Sequence, residues 1–148
     1  MGMIDHYLAY AAAFEEAYAS DDWARLEPFF TEDAVYDFIA PAPFGGTYEG
    51  RAAVLAQFKA SVNGFDRRFD ARTVEALEGP IEKDGAVWMR WAAIYTLAGA
   101  PDCRMGGEER AVFAGDRIRR LEDCMTDAEA SHVGAYFAQY GTKLKPAK

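Results

Sequence analysis

The pattern of apolar residues changes once along the chain, near residue 64, and this change limits the folds that the chain can adopt. Before that point apolar side chains recur every three or four positions, which is the spacing of amphipathic helices. After it come short stretches rich in β-branched and aromatic residues, separated by turn residues. Helices gathered before a run of hairpin strands predict an α+β domain, with the helices packed on one face of an antiparallel sheet.

Three helices are predicted before the hairpin strands. The first runs from Ile4 to about Ala19 and is indicated by one apolar stripe, formed by Ile4, Leu8, Ala11, Phe14 and Tyr18. Ser20-Asp21-Asp22 offers an N-cap for a second, short helix that continues through Leu26. Arg51–Val62 is predicted as the third helix.

Five strands are predicted. A short strand, Ala34–Ile39, precedes the Pro- and Gly-rich segment Pro41–Gly50, which we expect to be a loop. Gly79-Pro80 marks either a turn or a kink inside a longer strand. The four remaining strands follow the third helix: Phe69–Leu77, Ala86–Leu97, Arg104–Phe113 and Ile118–Met125. A long, twisted sheet tends to bend around its helices, so we expect a cone with an open mouth.

The last part of the chain begins with a capping box. Thr126-Asp127-Ala128-Glu129 has this pattern, which predicts a final helix over residues 127–140. The basic tail, residues 141–148, is expected to be a solvated end. Because no repeat or linker interrupts the chain, residues 1–148 are predicted to form one domain.

The composition argues against several functional classes. A net charge of −8 disfavours binding to nucleic acid, and no apolar stretch reaches the length of a membrane span. Cys103 and Cys124 lack the CxxC spacing and no signal-like segment precedes them, so we expect free thiols in the cytoplasm. His6 and His132 lie at opposite ends of the chain, and we expect neither a metal nor a cofactor.

Aromatic residues make up 14% of the chain, enough for a large core or for the wall of an apolar pocket. The helices, the first strand and one face of the strand Ala86–Leu97 supply the candidate wall residues. These are Phe14, Tyr18, Trp23, Tyr36, Phe38, Phe58, Met89, Trp91 and Tyr95. A filled core without a cavity is the alternative. The other face of that strand is also apolar, around Trp88 and Ile94, and we expect it to form a homodimer interface.

Four short motifs are distributed over nearly the whole chain. They are Asp21-Asp22-Trp23 with Ala24 and Leu26, Phe29-Phe30-Thr31-Glu32-Asp33-Ala34-Val35, Tyr48-Glu49-Gly50-Arg51, and Phe113 before the turn into Arg117-Ile118-Arg119-Arg120-Leu121-Glu122-Asp123. In these motifs the sequence resembles the superfamily of nuclear transport factor two, SnoaL-like polyketide cyclases and ketosteroid isomerases. The resemblance implies a cone-shaped, cystatin-like roll around a pocket.

Ketosteroid isomerases use a carboxylate base with a Tyr and a protonated Asp as oxyanion donors. A gapless alignment places that base at Phe38 and that Tyr at Phe14, so both groups are missing. The position of the oxyanion Asp is filled by Glu109. The resemblance therefore implies an acid at Glu109 without the base of the isomerases, and an acid alone cannot shuttle a proton.

Glu109 is the first candidate catalytic residue, because Met105, Ala111 and Phe113 share its parity along the strand. A carboxyl group on this apolar face would have a raised pKa and could act as a neutral acid. In the alternative, Glu109 is one of several solvated charges in Glu108-Glu109-Arg110.

A second carboxyl is expected on the next strand. A two- or four-residue loop after Phe113 puts Glu122 opposite Glu109, whereas an odd loop favours Asp123. The resemblance to SnoaL-like cyclases, which use an Asp in the cavity, favours Asp123. Either pairing would push one pKa upward and separate acid and base roles, and solvent-facing carboxylates are the alternative.

Asp37 is a further candidate base, one residue from the missing base position. Regular alternation places Tyr36 and Phe38 inside and Asp37 outside, so Asp37 could serve only with a bulge or a shifted register.

These residues predict a cofactor-independent acid/base enzyme that acts on a small, largely apolar ring or ketone. The alternative is a non-catalytic module for binding a small apolar molecule or for dimerisation. Two carboxyl groups facing a void would favour the enzyme, and an apolar cavity would favour the module. A weaker hypothesis is a site like that of epoxide hydrolases, with Arg90 as its arginine.

Overall fold

A six-stranded sheet organises the computed structural model, which describes all 148 residues. The α-helices are α1 (Met3–Ser20), α2 (Arg51–Gly64) and α3 (Asp127–Tyr140). The strands are β1 (Phe30–Ile39), β2 (Gly46–Glu49), β3 (Ala71–Lys83), β4 (Ala86–Thr96), β5 (Cys103–Ala114) and β6 (Arg117–Cys124). Short 3-10 helices cover Trp23–Phe29, Asp66–Arg68 and Gly141–Lys143. None of the helices combines the length and the apolarity that a membrane span requires.

The strand order is β2-β1-β6-β5-β4-β3, which confirms the predicted α+β class. Neighbouring strands are antiparallel except β1 and β6, which pair in parallel with Tyr36 opposite Leu121. The sheet is therefore mixed and not purely antiparallel. Parallel neighbours need a long crossover connection, and here all the elements from β2 to β5 lie between the two strands.

The predicted helices occur close to their expected bounds, and α3 coincides with its prediction. The short second helix is a 3-10 helix that extends past its predicted limit and contains Pro28. The loop predicted for residues 41–50 was wrong in its last part, because β2 pairs there with β1. This four-residue edge strand contains only one apolar side chain, Tyr48, so no alternating pattern marks it.

Gly79 lies within β3, so the Gly79-Pro80 pair is a kink inside a longer strand and not a turn. The backbone of Gly79 has φ +85°, and a Cβ atom there would lie 2.7 Å from the carbonyl oxygen of Trp88. Only glycine fits this approach without displacing β4. The register between β3 and β4 shifts around this position.

The buried face of α1 differs from the predicted stripe. Tyr7, Tyr10 and Ala17 are buried, whereas Leu8 is 49% exposed. Phe14 belongs to both faces and packs edge-on against Tyr10. Because α1 is rich in alanine, two overlapping stripes compete, and the stripe with the two tyrosine rings buries more apolar surface.

The three lysines of the basic tail are exposed, but the tail also packs on the domain through Leu144. Leu144 is buried with 9% of its surface exposed. Lys145 Nζ lies 3.1 Å from Asp70, and Lys148 Nζ lies 2.8 Å from Asp21. Charge alone did not reveal that Leu144, which lies between two lysines, packs on the domain.

Leu144→Ala should lower the free energy of unfolding by roughly 2–5 kcal/mol, because it removes a buried side chain and leaves a cavity. Urea unfolding of the full chain would measure this loss. Lys143→Ala, at an exposed neighbouring position, is the control and should have little effect. Equal stabilities of the two variants would contradict the docked tail.

Candidate functional site

A cavity of about 510 Å³ lies between the helices and the concave face of the sheet. Its wall is mostly apolar, and its size is in the range of small-molecule pockets. Seven of the nine residues predicted for a pocket wall line it, namely Phe14, Tyr36, Phe38, Phe58, Met89, Trp91 and Tyr95.

Tyr18 and Trp23, the other two predicted wall residues, do not line the cavity. Trp23 is buried behind the wall, where its ring packs against Phe14 at 5.4 Å between centroids. The ring of Tyr18 lies under the Arg72 guanidinium, 4.2 Å from its Cζ atom. Both residues therefore support side chains that do reach the cavity.

Two carboxyl groups face the cavity from neighbouring strands. Glu109 on β5 lies directly opposite Asp123 on β6, and both line the cavity. The hydroxyl of Tyr7 donates a hydrogen bond to Glu109 Oε1 at 2.6 Å. The hydroxyl of Tyr36 donates to Asp123 Oδ2 at 2.8 Å. Each carboxyl group thus has one tyrosine, supplied by α1 and by β1 respectively.

A bulge in β6 selects Asp123 and not Glu122. The turn between Ala114 and Arg117 has two residues, for which a regular register pairs Glu109 with Glu122. The register shifts between Val112 and Phe113, where Arg119 is the additional residue on β6. The parity rule therefore gave the wrong partner for this loop length, because it assumed an uninterrupted ladder.

Glu122 consequently points to the outer face of the sheet. Its carboxylate pairs with Arg110 at 2.9 Å and with Arg120 at 3.4 Å. Asp37 lies on the same face and pairs with Arg120 at 2.9 Å. The β1–β6 register is regular from Val35 onward, so no bulge turns Asp37 into the cavity and the proposal of Asp37 as a base is not supported by its position.

Burial is the main cause of the perturbed acidity of the carboxyl pair. It raises the pKa of Glu109 well above the usual range, and the nearby charge of Asp123 and the hydrogen bond between the two side chains raise it further. Burial also raises the pKa of Asp123, while hydrogen bonds from Glu109 and Tyr36 oppose that increase. Both shifts favour the neutral forms, so Glu109 and Asp123 share a proton as a pair.

The geometry around Asp123 fits a proton that the pair shares. Asp123 Oδ1 is fully buried and receives no hydrogen bond from a hydroxyl or an amide group. A protonated Glu109 supplies the missing donor, because a neutral carboxyl group carries one O–H. The pair and its two tyrosines then form a chain in which every buried polar group has a partner.

Sequence reasoning missed Tyr7, which was assigned to no apolar face. Its hydroxyl lies 3.2 Å from Met89 Sδ and bonds to Glu109. Burial, the charge of Glu109 and their hydrogen bond raise its pKa, so the hydroxyl remains a neutral donor. The spacing of Tyr7, Tyr10 and Phe14 on one helix face was the signal that could have identified it.

A second polar cluster lies in the same cavity wall, and of its members only Tyr95 was predicted. Tyr95 donates a hydrogen bond to Asp66 Oδ2 at 3.1 Å, and Arg72 Nε lies 3.5 Å from the same oxygen. Arg72 also donates two hydrogen bonds, at 3.0 and 3.1 Å, to the carboxylate of Glu15. Burial raises the pKa of Asp66 to about 6, although Arg72 and Tyr95 favour its charged form.

Arg90 lies on the outer face, where its guanidinium is 3.7 Å from Glu78. The arginine that lines the cavity is Arg72. The hypothesis of a site like that of epoxide hydrolases is therefore not supported for Arg90, because Arg90 does not line the cavity. No group of three or more His, Cys, Asp or Glu side chains is arranged to hold a metal ion.

The shared proton predicts that Glu109 links folding to pH. Its pKa is higher in the folded than in the unfolded chain, so the stabilisation is fully present below the unfolded value and is lost as pH rises through the folded pKa. Asp123 and Asp66 contribute with the same sign. Glu109→Gln should reduce the decline of the unfolding free energy, as pH rises from the unfolded toward the folded pKa of Glu109, by up to about 1.4 kcal/mol per pH unit.

Urea unfolding between pH 5 and 9 would measure this slope, with the charge change Glu108→Gln on the exposed face of the same strand as the control. Carboxyl-carbon NMR should show a resonance that titrates above the usual range in the wild type and in Glu108→Gln and that is missing in Glu109→Gln. Identical pH slopes for the two variants would exclude a buried proton on Glu109.

Comparisons with known proteins place this site in a family. A sequence model of the SnoaL-like domain matches residues 11–128. No curated protein matches the chain significantly.

Solved structures share the fold at low sequence identity. Bal32a from a soil-derived mobile gene cassette is 19% identical with a TM-score of 0.66, over 89% of this chain and 98% of that chain. A protein from Bacillus subtilis, provisionally described as an isomerase, is 16% identical with a TM-score of 0.67, over 90% and 96%. An NTF2-like protein of unknown function from Burkholderia pseudomallei is 17% identical with a TM-score of 0.62, over 84% and 94%.

At these identities the structures establish the fold and not the activity. The match to the family model covers most of the chain, including β1 and the strands that carry the carboxyl pair. The chain therefore belongs to the SnoaL-like domain family.

Proposed function

We propose that this protein is a cofactor-independent acid/base enzyme that enolises a small, largely apolar cyclic ketone. One observation carries the proposal: Glu109 and Asp123 face each other in an apolar cavity, where burial and their mutual repulsion favour a single shared proton. A neutral acid beside an ionised base is the combination that proton transfer at a carbonyl compound requires. The SnoaL-like fold family includes isomerases and cyclases, which is compatible with this chemistry.

In the proposed reaction the Asp123 carboxylate removes a proton from the carbon next to the carbonyl group. The C–H electron pair forms the new C=C bond, and the carbonyl oxygen takes the proton of Glu109. The product of this step is an enol, with Asp123 protonated and Glu109 ionised. When Asp123 returns its proton to another carbon of a conjugated enol and the O–H proton returns to Glu109, the result is an isomerised ketone with no net proton transfer.

The two tyrosines stabilise the charges of this cycle. Tyr7 donates to Glu109 and so stabilises the carboxylate that forms when the proton leaves. Tyr36 donates to Asp123 in its starting, ionised state and so stabilises the base. The apolar neighbours Phe38 and Met89 limit the access of water, which keeps these hydrogen bonds strong.

Deuterium exchange at the α-carbon of 2-tetralone in D₂O, followed by proton NMR, would test the reaction. Asp123→Asn should lower the protein-catalysed rate by about 10²–10⁴-fold because it removes the base, and Glu109→Gln should lower it by a similar factor because it removes the acid. Glu122→Gln is the control, since Glu122 is adjacent in sequence but lies on the outer face.

Exchange that the wild type does not accelerate, for 2-tetralone and for other cyclic ketones of similar size, would contradict the enzyme proposal. It would favour a binding module of the same fold. Acceleration that persists in Asp123→Asn would show that the proton is removed elsewhere.

We also propose that the protein forms a homodimer through the outer face of β4. Trp88 and Ile94 lie on this face and are partly exposed, and Ile81, opposite Trp88 on β3, is 42% exposed. Light scattering at micromolar concentration should give twice the mass of the chain. Ile94→Lys should produce a monomer because it places a charge in the interface, whereas Lys59→Glu on the exposed surface of α2 should not. A wild-type monomer would contradict the proposal.

A further inference from the structure

The cavity has a second polar end. On the inner face of β4, Met89 lies opposite Glu109, and Trp91, Ala93 and Tyr95 follow at alternate positions. Tyr95 is six residues beyond Met89, which corresponds to about 20 Å of extended strand. The wall between the carboxyl pair and Tyr95 is therefore apolar, and polar groups occur where it begins and where it ends.

Hydrogen-bonding capacity remains at this second end. Tyr95 donates to Asp66, but its oxygen accepts no hydrogen bond. Arg72 has five N–H groups, and its contacts to Glu15 and Asp66 account for three of them. Tyr95 can therefore still accept one hydrogen bond and Arg72 can donate two more, and both residues line the cavity.

The charges around Arg72 indicate which ligand could use this capacity. Glu15 and Asp66 together offset the guanidinium charge, and the neighbouring Arg67 is engaged with Asn63 and the carbonyl oxygen of Tyr18. A ligand carboxylate would meet two carboxylates and no unpaired positive charge, so it would be disfavoured. A hydroxyl group can both donate and accept and adds no charge.

A purely structural role does not require the whole cluster. The ion pair of Arg72 with the exposed Glu15 already connects β3 to α1. Asp66 and Tyr95 add a partly buried carboxyl and a buried hydroxyl to an apolar wall, and a well-packed apolar pair would avoid their desolvation. Their presence is explained if a ligand uses them.

We infer that Asp66, Arg72 and Tyr95 form a second subsite, which binds an uncharged hydroxyl or carbonyl oxygen at the end of the substrate remote from the carboxyl pair. The substrate is then an elongated, neutral molecule with an apolar body and oxygen at both ends. This inference deepens the proposed function, because it rests on the reacting end of the substrate being at Glu109 and Asp123.

Isothermal titration calorimetry with defined probes would test the subsite. The probes are 4-phenylphenol, 4,4′-dihydroxybiphenyl, 4,4″-dihydroxy-p-terphenyl and 4′-hydroxybiphenyl-4-carboxylate. At least one diol should bind the wild type about three- to tenfold more tightly than 4-phenylphenol, because its second hydroxyl gains a hydrogen bond. The carboxylate probe should bind more weakly than the diols.

Tyr95→Phe keeps the ring and should abolish the advantage of the diol, and Asp66→Asn should reduce it. Tyr140→Phe, the same substitution outside the cavity, should leave the advantage unchanged. Equal affinities of 4-phenylphenol and both diols for the wild type, an advantage that survives Tyr95→Phe, or no measurable binding of any probe would overturn the inference.

These readouts separate the inference from the proposed function. If the protein does not catalyse α-proton exchange but still binds a diol more tightly than 4-phenylphenol, the enzyme proposal is contradicted and the subsite is supported. If the protein catalyses exchange but binds the diols no more tightly than 4-phenylphenol, the subsite is contradicted and the enzyme proposal is supported.

Discussion

Two carboxyl groups that are buried side by side in an apolar cavity repel each other unless they share a proton. Glu109 and Asp123 meet this condition, with Tyr7 on one outer oxygen and Tyr36 on the other. The four groups come from α1, β1, β5 and β6, so the packing of the first helix, the parallel β1–β6 pair and the β5–β6 hairpin must all be in register at one point. A shift in any of these elements would leave a buried polar group without a partner, which costs about 1–3 kcal/mol.

Local signals in the sequence were sufficient where one element determines its own structure. The capping box at Thr126 predicts the start of α3, and its hydroxyl does accept from the Glu129 amide at 3.2 Å. The mixed sheet could not be predicted in this way, since the β1–β6 pair joins residues more than eighty positions apart. The short strand β2 has no pattern of its own and exists because β1 offers an unpaired edge.

In the candidate site, too, local sequence signals predict some features, whereas others depend on tertiary contacts. The parity of Glu109 with Ala111 and Phe113 correctly placed it on the concave side of the sheet, where it lines the cavity. Its partner depends on the extra residue Arg119, and a bulge of one residue in a charged strand has no sequence signature. Asp66 was missed for a related reason, because it lies in a single turn of 3-10 helix whose direction is set by tertiary contacts with Arg72 and Tyr95.

Both polar clusters make the fold less stable than it would be with a wholly apolar cavity wall. Buried, incompletely screened carboxyl groups are costly, and apolar side chains of similar volume would pack at least as well. A domain selected only for folding or for dimerisation would have no use for them on its concave face. A carboxyl pair that shares a proton lies at one end of the wall, and Tyr95 and Arg72 retain hydrogen-bonding capacity at the other. Both features are understandable if a molecule that carries oxygen at both ends enters the cavity and exchanges a proton there. The position of the two clusters at opposite ends of one apolar wall is therefore the strongest physical argument for a chemical role of this cone.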